Sequence, residues 1–564
     1  MSGVRLAADP GRNGWTTILC DSLEKVFPDS EPRAMEMSIA VTAFLGERVS
    51  WQIAYLPPPL TTSGRLPGIV VHSNAPAGVV VSIGAVQLVP ATLAAFDGHD
   101  DGYIRDGAGL FPDPIQPVGD EPVRPLVAQW SAIWVDALVG TAVTDSMIDV
   151  AVTLHDTDGG TIGVHTVSLT VVPTAVPPLT IVNAQWLHCD GIARYYDDAV
   201  FSEGHWRSIE NFVAAAVDAG VNAVLTPTWT PPVDTEVGAT RTPIQLVGIA
   251  ENDGDYSFDF SLLHRWIEMC RRNGVTYLEI PHLFTQWGAA FTPAIYVTTD
   301  GGLERRFGWD IPAGDPSYRL LLESLLPRLR EELDRLWGLD RVFFHLSDEP
   351  PIQALEQYLA SRAAVADLLE GCTIVDALSD LDFAERGAVS IPVVATDKAG
   401  PFLAAGVKPF WLYYCVDQNR DVSNRFMGQP AVRNRTIGAQ LHLTGASGFL
   451  HWGFNFYNSA LSREPINPFQ ETCAGGEFPA GDAFMVYPGR DRVAWPSIRS
   501  RVFAEAMMDH RAMSFLSSLA GTEEVTAIIH QAGIRSLTKF SYHADDYRRM
   551  KAALATRISE LISD

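Results

Sequence analysis

The chain has 564 residues, of which 47% are hydrophobic and 19% charged, and it carries 41 basic against 67 acidic side chains. This length allows several domains of about 100–200 residues each and excludes a small scaffold held together by disulfides. The formal net charge of −26 opposes binding to phosphate backbones and to anionic lipids. We therefore expect neither nucleic acid nor a membrane as a partner.

The cysteines and the N-terminus both bear on the cellular compartment. The cysteines lie far apart and form no Cys-x-x-Cys pair, which favours reduced thiols over a zinc site or a disulfide framework. Residues 1–10 lack the apolar segment of a leader peptide, and the longest apolar run, near residues 79–89, is too short to span a bilayer. We expect a soluble cytoplasmic protein, and the sequence leaves the oligomeric state unknown.

Residues 1–175 show the alternation of apolar and polar positions that is typical of strands. Ile148, Val150, Val152 and Leu154 alternate with polar residues, and clusters of Gly, Pro and Asp interrupt such runs at short intervals. This pattern predicts an N-terminal antiparallel β-sandwich domain. The prolines in residues 171–178 suit a short, stiff linker after it.

From residue 179 to residue 515 the pattern changes to strands that alternate with amphipathic helices. The first two helices end before Gly220 and Gly274, and a strand follows each glycine at once, which is typical of αβ loops. These residues are predicted to form a (β/α)8 TIM-type barrel, and residues 516–564 a short helical C-terminal extension packed on it. The eight predicted strands are residues 179–187, 223–229, 277–282, 342–347, 373–378, 390–396, 409–415 and 448–456.

The carboxyl ends of these strands are rich in aromatic, imidazole, amide and carboxylate side chains. Barrel enzymes carry their active sites on the loops that follow the strands. Flat aromatic faces stack on the C–H patches of a pyranose ring, and fixed polar groups bond its hydroxyls. The predicted carbohydrate-binding residues are His188, Asp190, Trp229, Glu279, His282, Gln286, Trp287, His345, Trp411, Tyr413, Tyr414, Trp452 and Asn455.

The fourth predicted strand ends in two adjacent acids, Asp348 and Glu349, followed by Pro350 and Pro351. Taken alone, this segment also suits the start of a helix, with an acid at the N-cap and a proline in the first turn. Its place at the end of a barrel strand favours a chemical role. We predict that this acid pair is catalytic.

Histidines at three strand ends, His188, His282 and His345, raise the alternative of a metal site. Barrel metal sites usually include a tight His-x-His pair and further ligands late in the barrel, and the predicted fifth and sixth strands carry no histidine. No Gly-rich phosphate loop follows a strand. We expect neither a metal nor another cofactor.

The available carboxylates also favour one mechanism. A glycosidase that attacks the sugar directly needs a nucleophile about 5 Å from its acid, commonly on the seventh strand, which here ends in Tyr413, Tyr414 and Cys415. The alternative is attack by the substrate's own 2-acetamido carbonyl, which suits adjacent acids. Glu349 is then the general acid and later the base, and Asp348 stabilises the acetamide nitrogen. Mutual repulsion and aromatic walls are expected to raise the pKa of the acid.

Several segments between residues 179 and 515 together carry a family pattern, namely residues 186–287, 345–350, 424–426, 451–455, 486–489 and 496–499. They resemble a large bacterial family, the barrel domain of unknown function 4091, which is related to family 123 of the glycoside hydrolases. The resemblance implies a retaining β-N-acetylgalactosaminidase that uses acetamido assistance on a β-linked amino-sugar glycan, with a β-sandwich before the barrel. It also implies a catalytic pair of Asp348 and Glu349, Tyr413 or Tyr414 at the acetamide oxygen, Trp452 under the sugar and Arg425 at its hydroxyls.

Two segments depart from that family pattern. Gly481-Asp482-Ala483-Phe484 stands where Gly-Asp-Gly is common, and His451-Trp452-Gly453 stands where Tyr-Trp-Gly is common. Either change can reshape the rim without touching the acid pair, so the reaction is better defined than the sugar. Two other functions stay open. One is direct double displacement on a glycan without an acetamido group, with Glu279 or Asp190 as the second acid, and the other is a non-catalytic glycan-binding barrel.

Overall fold

The computed structural model describes residues 14–59 and 66–563 and divides the chain into two compact units. The first unit comprises residues 1–180, 420–443 and 495–564, and the second comprises residues 181–419 and 444–494. The expectation that residues 1–10 carry no leader segment lies outside the described residues. Within the described ranges, the helices are all too short or too polar to cross a membrane.

The first unit contains two β-sheets, as the alternating N-terminal sequence predicts. One sheet has the strand order β1-β3-β7-β5-β6 and the other the order β2-β9-β8-β4. Neighbouring strands are antiparallel except for the parallel pair of β2 and β9. The strands are β1 (Thr16–Asp21), β2 (Val41–Leu45), β3 (Arg48–Leu56), β4 (Ile69–Asn74), β5 (Val79–Ala91), β6 (Gly109–Pro117), β7 (Ser131–Val139), β8 (Met147–Asp156) and β9 (Thr161–Ala175).

The second unit contains a closed barrel of eight parallel strands in the order β10-β11-β14-β17-β18-β19-β20-β21, which confirms the predicted barrel. Each predicted strand is present, although shorter than expected. Gly220 and Gly274 have φ angles of 88° and 80°, the left-handed conformation that ends a helix. The strands that follow β9 are β10 (Val182–Gln185), β11 (Ala223–Leu225), β12 (Gly248–Asn252), β13 (Asp255–Asp259), β14 (Tyr277–Ile280), β15 (Ile295–Thr299), β16 (Gly302–Phe307), β17 (Val342–Phe344), β18 (Thr373–Ala377), β19 (Ile391–Ala395), β20 (Trp411–Tyr413), β21 (Gly448–His451), β22 (Val486–Pro488) and β23 (Ala494–Pro496).

Helices connect the barrel strands, and longer ones close the chain. α2 and α3 are the two amphipathic helices that the sequence predicts. The helices are α1 (Cys189–Tyr195), α2 (Glu203–Asp218), α3 (Ser261–Arg272), α4 (Pro316–Leu336), α5 (Leu355–Ala363), α6 (Leu381–Glu385), α7 (Ala399–Ala404), α8 (Val432–Arg435), α9 (Ile437–Thr444), α10 (Ile498–Ala520), α11 (Thr522–Gln531) and α12 (Ala544–Ser563).

The C-terminal helices, which the sequence analysis assigned to the barrel, share a core with the sheets of the first unit. The apolar residues of α10, α11 and α12, among them Met513, Ile529 and Leu554, share one hydrophobic core with Ile18 of β1 and Trp134 of β7. These helices therefore belong to the first unit, with the sheets. The sheets present an apolar face, and burying it against amphipathic helices is favourable at about 25 cal/mol per Å² of apolar surface.

The structure also has a small sheet that the sequence analysis did not predict. Its strand order is β13-β12-β15-β16, and its strands come from the chain before and after barrel strand β14. Asp253 and Gly254 both have positive φ at the turn between β12 and β13, as a two-residue hairpin requires. Short hairpins inserted between a barrel strand and the next helix give a weak sequence signal, because they are only a few residues long and the alternation of strands and helices resumes after them.

Barrel strands β14 and β17 bring the predicted catalytic loops together. The two strands pair in parallel, with Glu279 opposite Phe343 and Ile280 opposite Phe344. Beyond the strands the pairing continues, since the Leu283 N–H donates to the His345 carbonyl at 3.0 Å. The loop that carries the acid pair therefore lies beside the loop that follows β14.

Candidate active site

The acid pair follows β17 in a loop held by hydrogen bonds from the neighbouring loop. The Ser347 hydroxyl donates to the Thr285 carbonyl at 2.8 Å, and the Trp287 N–H donates to the Asp348 carbonyl at 2.8 Å. Such bonds limit the movement of the loop that carries the acid pair, which is what positioning for catalysis requires. Asp348 and Glu349 are thus fixed relative to Trp287.

A cavity of about 200 Å³ lies at the carboxyl end of the barrel, and we call it the central cavity. Both members of the acid pair line it, together with aromatic side chains and two further acids. Among its described lining residues, none is lysine or arginine. The lining residues are Trp186, Val233, Asp234, Gln286, Trp287, Asp348, Glu349, Ala377, Tyr413, Cys415, Val416, Asp417, Leu450, Trp452 and Phe478.

Tyr413, on β20, contacts the acid pair directly. Its hydroxyl donates to Oε1 of Glu349 at 2.6 Å and lies 3.1 Å from the hydroxyl of Ser379. Burial raises the pKa of Tyr413 well above its usual value, and the charge of Glu349 adds to this effect, so the phenol stays protonated. The seventh barrel strand, β20, therefore ends in a tyrosine hydroxyl donor, at the place where a directly attacking glycosidase commonly carries an acid.

The two acids of the pair share an environment that favours one bound proton. Burial raises the pKa of Asp348 well above its usual value, and the nearby charges of Glu349 and Asp376 raise it further. Burial also raises the pKa of Glu349, although the bond from Tyr413 opposes this. Interacting acids lose their protons as a pair. A pair that holds one proton contains both an acid and a base.

Three residues that line the central cavity have a backbone conformation that side chains other than glycine rarely adopt. The φ angles of Asp234, Trp287 and Glu349 are 43°, 63° and 41°. Each such residue costs about 1–3 kcal/mol, and strain of this kind concentrates at functional sites. Hydrogen bonds hold the backbone at two of them, since the Ser462 hydroxyl donates to the Asp234 carbonyl at 2.7 Å and the Trp287 N–H donates to the Asp348 carbonyl at 2.8 Å. Burial raises the pKa of Asp234 to about 6.

Three predicted site residues form a buried network instead of lining the central cavity. His345 lies between two carboxylates, with Nε2 3.0 Å from Glu279 Oε1 and Nδ1 3.3 Å from Asp376 Oδ1. The ring of His282 lies 4.7 Å from that of His345, and neither of its nitrogens has a hydrogen-bond partner within the described part of the chain. Burial lowers the pKa of His282 well below its usual value.

Three of these groups, His282, His345 and Asp376, have possible ligand atoms within 4.8 Å of one another, a spacing that raises the question of a metal. Both nitrogens of His345 face carboxylate oxygens, an arrangement that a proton on each nitrogen satisfies. Burial lowers the pKa of His345, but its bonds to Asp376 and Glu279 outweigh this and raise the pKa to about 9. A metal would have to displace a proton from such an imidazole, and the observed contacts of His345 with Glu279 and Asp376 form a hydrogen-bonded charge network.

A second buried network holds His188 and Asp190, which were predicted to bind sugar. Arg241 donates two bonds to Asp190, at 2.6 and 3.0 Å, and one to Nδ1 of His188 at 3.0 Å. Burial opposes ionisation of Asp190, but the charge of Arg241 outweighs it and lowers the pKa to about 2. The other ring nitrogen of His188 donates to the Trp452 carbonyl at 2.8 Å. Through the bond to Trp452, which lines the central cavity, these buried groups stabilise the cavity wall without lining it themselves.

Asn455 belongs to the same support. Its side-chain oxygen accepts from the His188 N–H at 2.9 Å, and its amide donates to the His188 carbonyl at 3.1 Å. Trp229 is also buried, and its indole N–H donates to the His282 carbonyl at 3.0 Å. Trp411 packs in the barrel core with its ring 5.0 Å from that of Phe343.

Of the sixteen site residues predicted from sequence, six line the central cavity. They are Gln286, Trp287, Asp348, Glu349, Tyr413 and Trp452. Tyr414 does not line it and packs its ring 5.0 Å from that of Phe449. Arg425 belongs to the first unit and is absent from the lining. The cavity residues that sequence reasoning did not select include Asp234, Asp417 and Phe478.

Comparison with protein families finds one matching model, described as glycoside hydrolase 123, catalytic domain, over residues 186–516. Among solved structures, a family 123 glycoside hydrolase from Clostridium perfringens, described in connection with glycolipid glycan hydrolysis, superposes with a TM-score of 0.69 at 13% identity and covers 97% of both chains. A family 5 mannosidase from Rhizomucor miehei gives a TM-score of 0.34 at 10% identity, covering 62% of this chain and 95% of its own. A search of curated protein sequences gives no significant match.

Proposed function

The chain belongs to the family of glycoside hydrolase 123 catalytic domains and is a glycosidase, and from this premise we propose that it is a retaining β-N-acetylgalactosaminidase. Its substrate is then a glycan that ends in a β-linked amino sugar, and the 2-acetamido group of that sugar supplies the nucleophile. One observation carries the proposal. Glu349 and Asp348 line the central cavity as neighbours, and the side chain bonded to Glu349 is the tyrosine Tyr413, not a further acid.

In the first step Glu349 gives its proton to the glycosidic oxygen, and the bond between that oxygen and C1 breaks. The acetamido carbonyl oxygen forms a bond to C1 on the opposite face, which leaves a cyclic oxazolinium ion. Asp348 accepts the N–H of the acetamido group and offsets the positive charge that develops there. In the second step Glu349 takes a proton from water, and the water oxygen attacks C1 and opens the ring with retained configuration.

The direct-displacement alternative needs a second acid on the cavity wall. Glu279 and Asp190, the two acids considered for that role, do not line the central cavity, since Glu279 bonds His345 and Asp190 bonds Arg241. Asp234 and Asp417 do line it. Direct attack requires a carboxylate on the cavity wall, and either of these two acids meets that requirement. Direct double displacement on a glycan without an acetamido group is therefore the second candidate function.

The charge of the cavity supports an uncharged sugar as substrate. Four carboxylates line it, and no lysine or arginine is among its described lining residues. An anionic sugar such as a uronic acid would meet repulsion without a compensating cation. The description of the Clostridium perfringens relative, which concerns glycolipid glycans, supports the glycan of a glycolipid as substrate.

The experiment is release of nitrophenol from matched β-N-acetylgalactosaminide, β-N-acetylglucosaminide and β-galactoside substrates. Glu349→Gln and Asp348→Asn serve as matched variants, because each removes one charge and keeps the side-chain shape. Turnover confined to the acetamido sugars, lost in both variants and inhibited by a thiazoline analogue of the intermediate, is expected. Turnover of the plain galactoside at a comparable rate would rule out acetamido assistance and direct attention to Asp234 and Asp417.

A further inference from the structure

Asp376, next to the last residue of barrel strand β18, holds the backbone that leads into the acid pair. Its carboxylate accepts from the Leu346 N–H at 3.0 and 3.1 Å and from the Ser347 N–H at 3.3 Å, and the Tyr358 hydroxyl also donates to it. Asp376 is fully buried and does not line the central cavity. A buried carboxylate that accepts from two successive backbone amides fixes their orientation.

His345 sits directly before this backbone, and its place between two carboxylates favours a positive charge on its ring. Its two ring nitrogens donate to Glu279 and Asp376, and all three side chains are fully buried. Two carboxylates around one imidazolium leave the network with a net negative charge unless its neighbours compensate. The burial of such a network is expensive, and fold stability alone gives little reason to keep it.

We propose that Asp376 and His345 are positioning residues for the reaction: Asp376 aims the acid pair through the backbone of residues 346 and 347, and His345 supplies a buried positive charge to Asp348. The proposal rests on the proposed function, because it assigns these roles to a reaction carried by Asp348 and Glu349. Neither residue lines the central cavity.

The charges around the pair define what each substitution should do. Asp348 interacts with Glu349, Asp376, Asp234 and the positive charge of His345. Of these, His345 alone lowers the pKa of Asp348, and the three acids raise it. Removing the positive charge therefore moves the proton equilibria of the pair to higher pH. Removing Asp376 has two opposing effects on the pKa of Asp348. The loss of a repelling charge lowers this pKa, and the loss of a group that keeps His345 protonated raises it.

The first test is the pH dependence of kcat/KM for a β-N-acetylhexosaminide in His345→Gln, with His282→Gln as the matched control. Both histidines are fully buried and their rings lie 4.7 Å apart, but His282 does not carry the charge. We expect the profile of His345→Gln to move up by about one pH unit, and that of His282→Gln to keep its position. A profile that stays in place in His345→Gln, or moves equally in both variants, would overturn the electrostatic role.

The second test separates positioning from stability with Asp376→Asn and Tyr358→Phe. Asp376→Asn places an amide among the N–H groups of Leu346 and Ser347, whereas Tyr358→Phe removes one bond to Asp376 and keeps its carboxylate. Misplacement of a catalytic group costs about 100-fold in rate. We expect kcat of Asp376→Asn to fall by about that factor with KM within about threefold, at unchanged folding by circular dichroism. Equal kcat in Asp376→Asn and the wild type, or a rise in KM with kcat preserved, would overturn the positioning role.

A third measurement does not depend on turnover. In protein labelled with ¹⁵N-histidine, the ring nitrogens of His345, assigned by their loss in His345→Gln, should both be protonated at about pH 7. A neutral ring there would overturn the assignment. If the wild type cleaves no acetamido sugar, the proposed function fails while this result still decides the charge of His345, so the two failures are distinguishable.

Discussion

Replacing Tyr413 by phenylalanine tests the role of its hydroxyl at the acid pair. The hydroxyl donates to Glu349 at 2.6 Å, and this bond strengthens as Glu349 loses its proton to the leaving group. Hydrogen bonds to charged groups contribute about 1.5–3 kcal/mol, which corresponds to about 10- to 150-fold in rate at 1.4 kcal/mol per factor of ten. We expect kcat of Tyr413→Phe to fall within that range.

The same substitution has a defined effect on the pH profile. The phenol stabilises the ionised form of Glu349, so its loss raises the pKa of that carboxyl. A general acid with a raised pKa stays protonated to higher pH. The basic limb of kcat/KM should therefore move up by about one to two pH units, at 1.36 kcal/mol per unit.

The assay is initial-rate hydrolysis of a nitrophenyl β-N-acetylhexosaminide across the pH range, with Tyr414→Phe as the control. Tyr414 is the next residue, is fully buried and lies off the cavity wall. A basic limb that stays fixed or moves down in Tyr413→Phe, or a kcat within about threefold of wild type, would refute the reasoning. An equal loss in Tyr414→Phe would attribute the effect to packing.

Three further predictions concern stability, binding and substrate charge. Arg241→Ala leaves the carboxylate of Asp190 buried without its partner, and chemical denaturation should show a loss of about 3–5 kcal/mol in unfolding free energy. Trp452→Ala removes an aromatic wall of the central cavity. Its KM should rise about 10- to 100-fold, since burying such a side chain contributes about 1.5–3 kcal/mol. The rise in KM should be smaller for Trp452→Phe, which keeps an aromatic ring. A 6-sulfated acetamido substrate should show a kcat/KM at least about tenfold below its unsulfated counterpart at low salt, and a comparable value would refute the charge argument.

The architecture of both units could be predicted from local patterns, because each pattern has a direct physical cause. Period two in Ile148, Val150, Val152 and Leu154 reflects one buried face of β8, and Gly220 and Gly274 mark helix ends that need a left-handed residue. The packing partner of the C-terminal helices could not be predicted. An amphipathic helix shows that it buries a face, but its sequence does not say against which sheet.

The cavity residues show where strand-end reasoning succeeds and where it fails. Asp348 and Glu349 follow β17, Tyr413 is the last residue of β20, and all three line the cavity as expected. Glu279 lies one residue before the end of β14, and its carboxylate bonds His345 within the barrel. Successive side chains of a strand point to opposite sides, so an error of one residue in the strand end moves a candidate from the cavity to the interior.

The supporting groups could not be found from sequence. Arg241 lies 51 positions from Asp190 along the chain, and Asp376 lies 30 positions from Leu346. Neither stands in a motif, and each gains its role only when the barrel closes. Asp234 ends the segment that follows the second strand, but no spacing rule indicates that its backbone is left-handed and faces the acid pair.

The division into units has a consequence for how the protein can be made and dissected. The chain passes between the units four times, at the junctions of residues 180/181, 419/420, 443/444 and 494/495. During synthesis the N-terminal sheets emerge before the barrel, yet the helices that complete their core emerge only after it. Cutting the chain at the proline-rich stretch would therefore yield two incomplete halves, and a minimal catalytic fragment that begins at residue 179 should express as an aggregate unless residues 14–178 are supplied in the same cell.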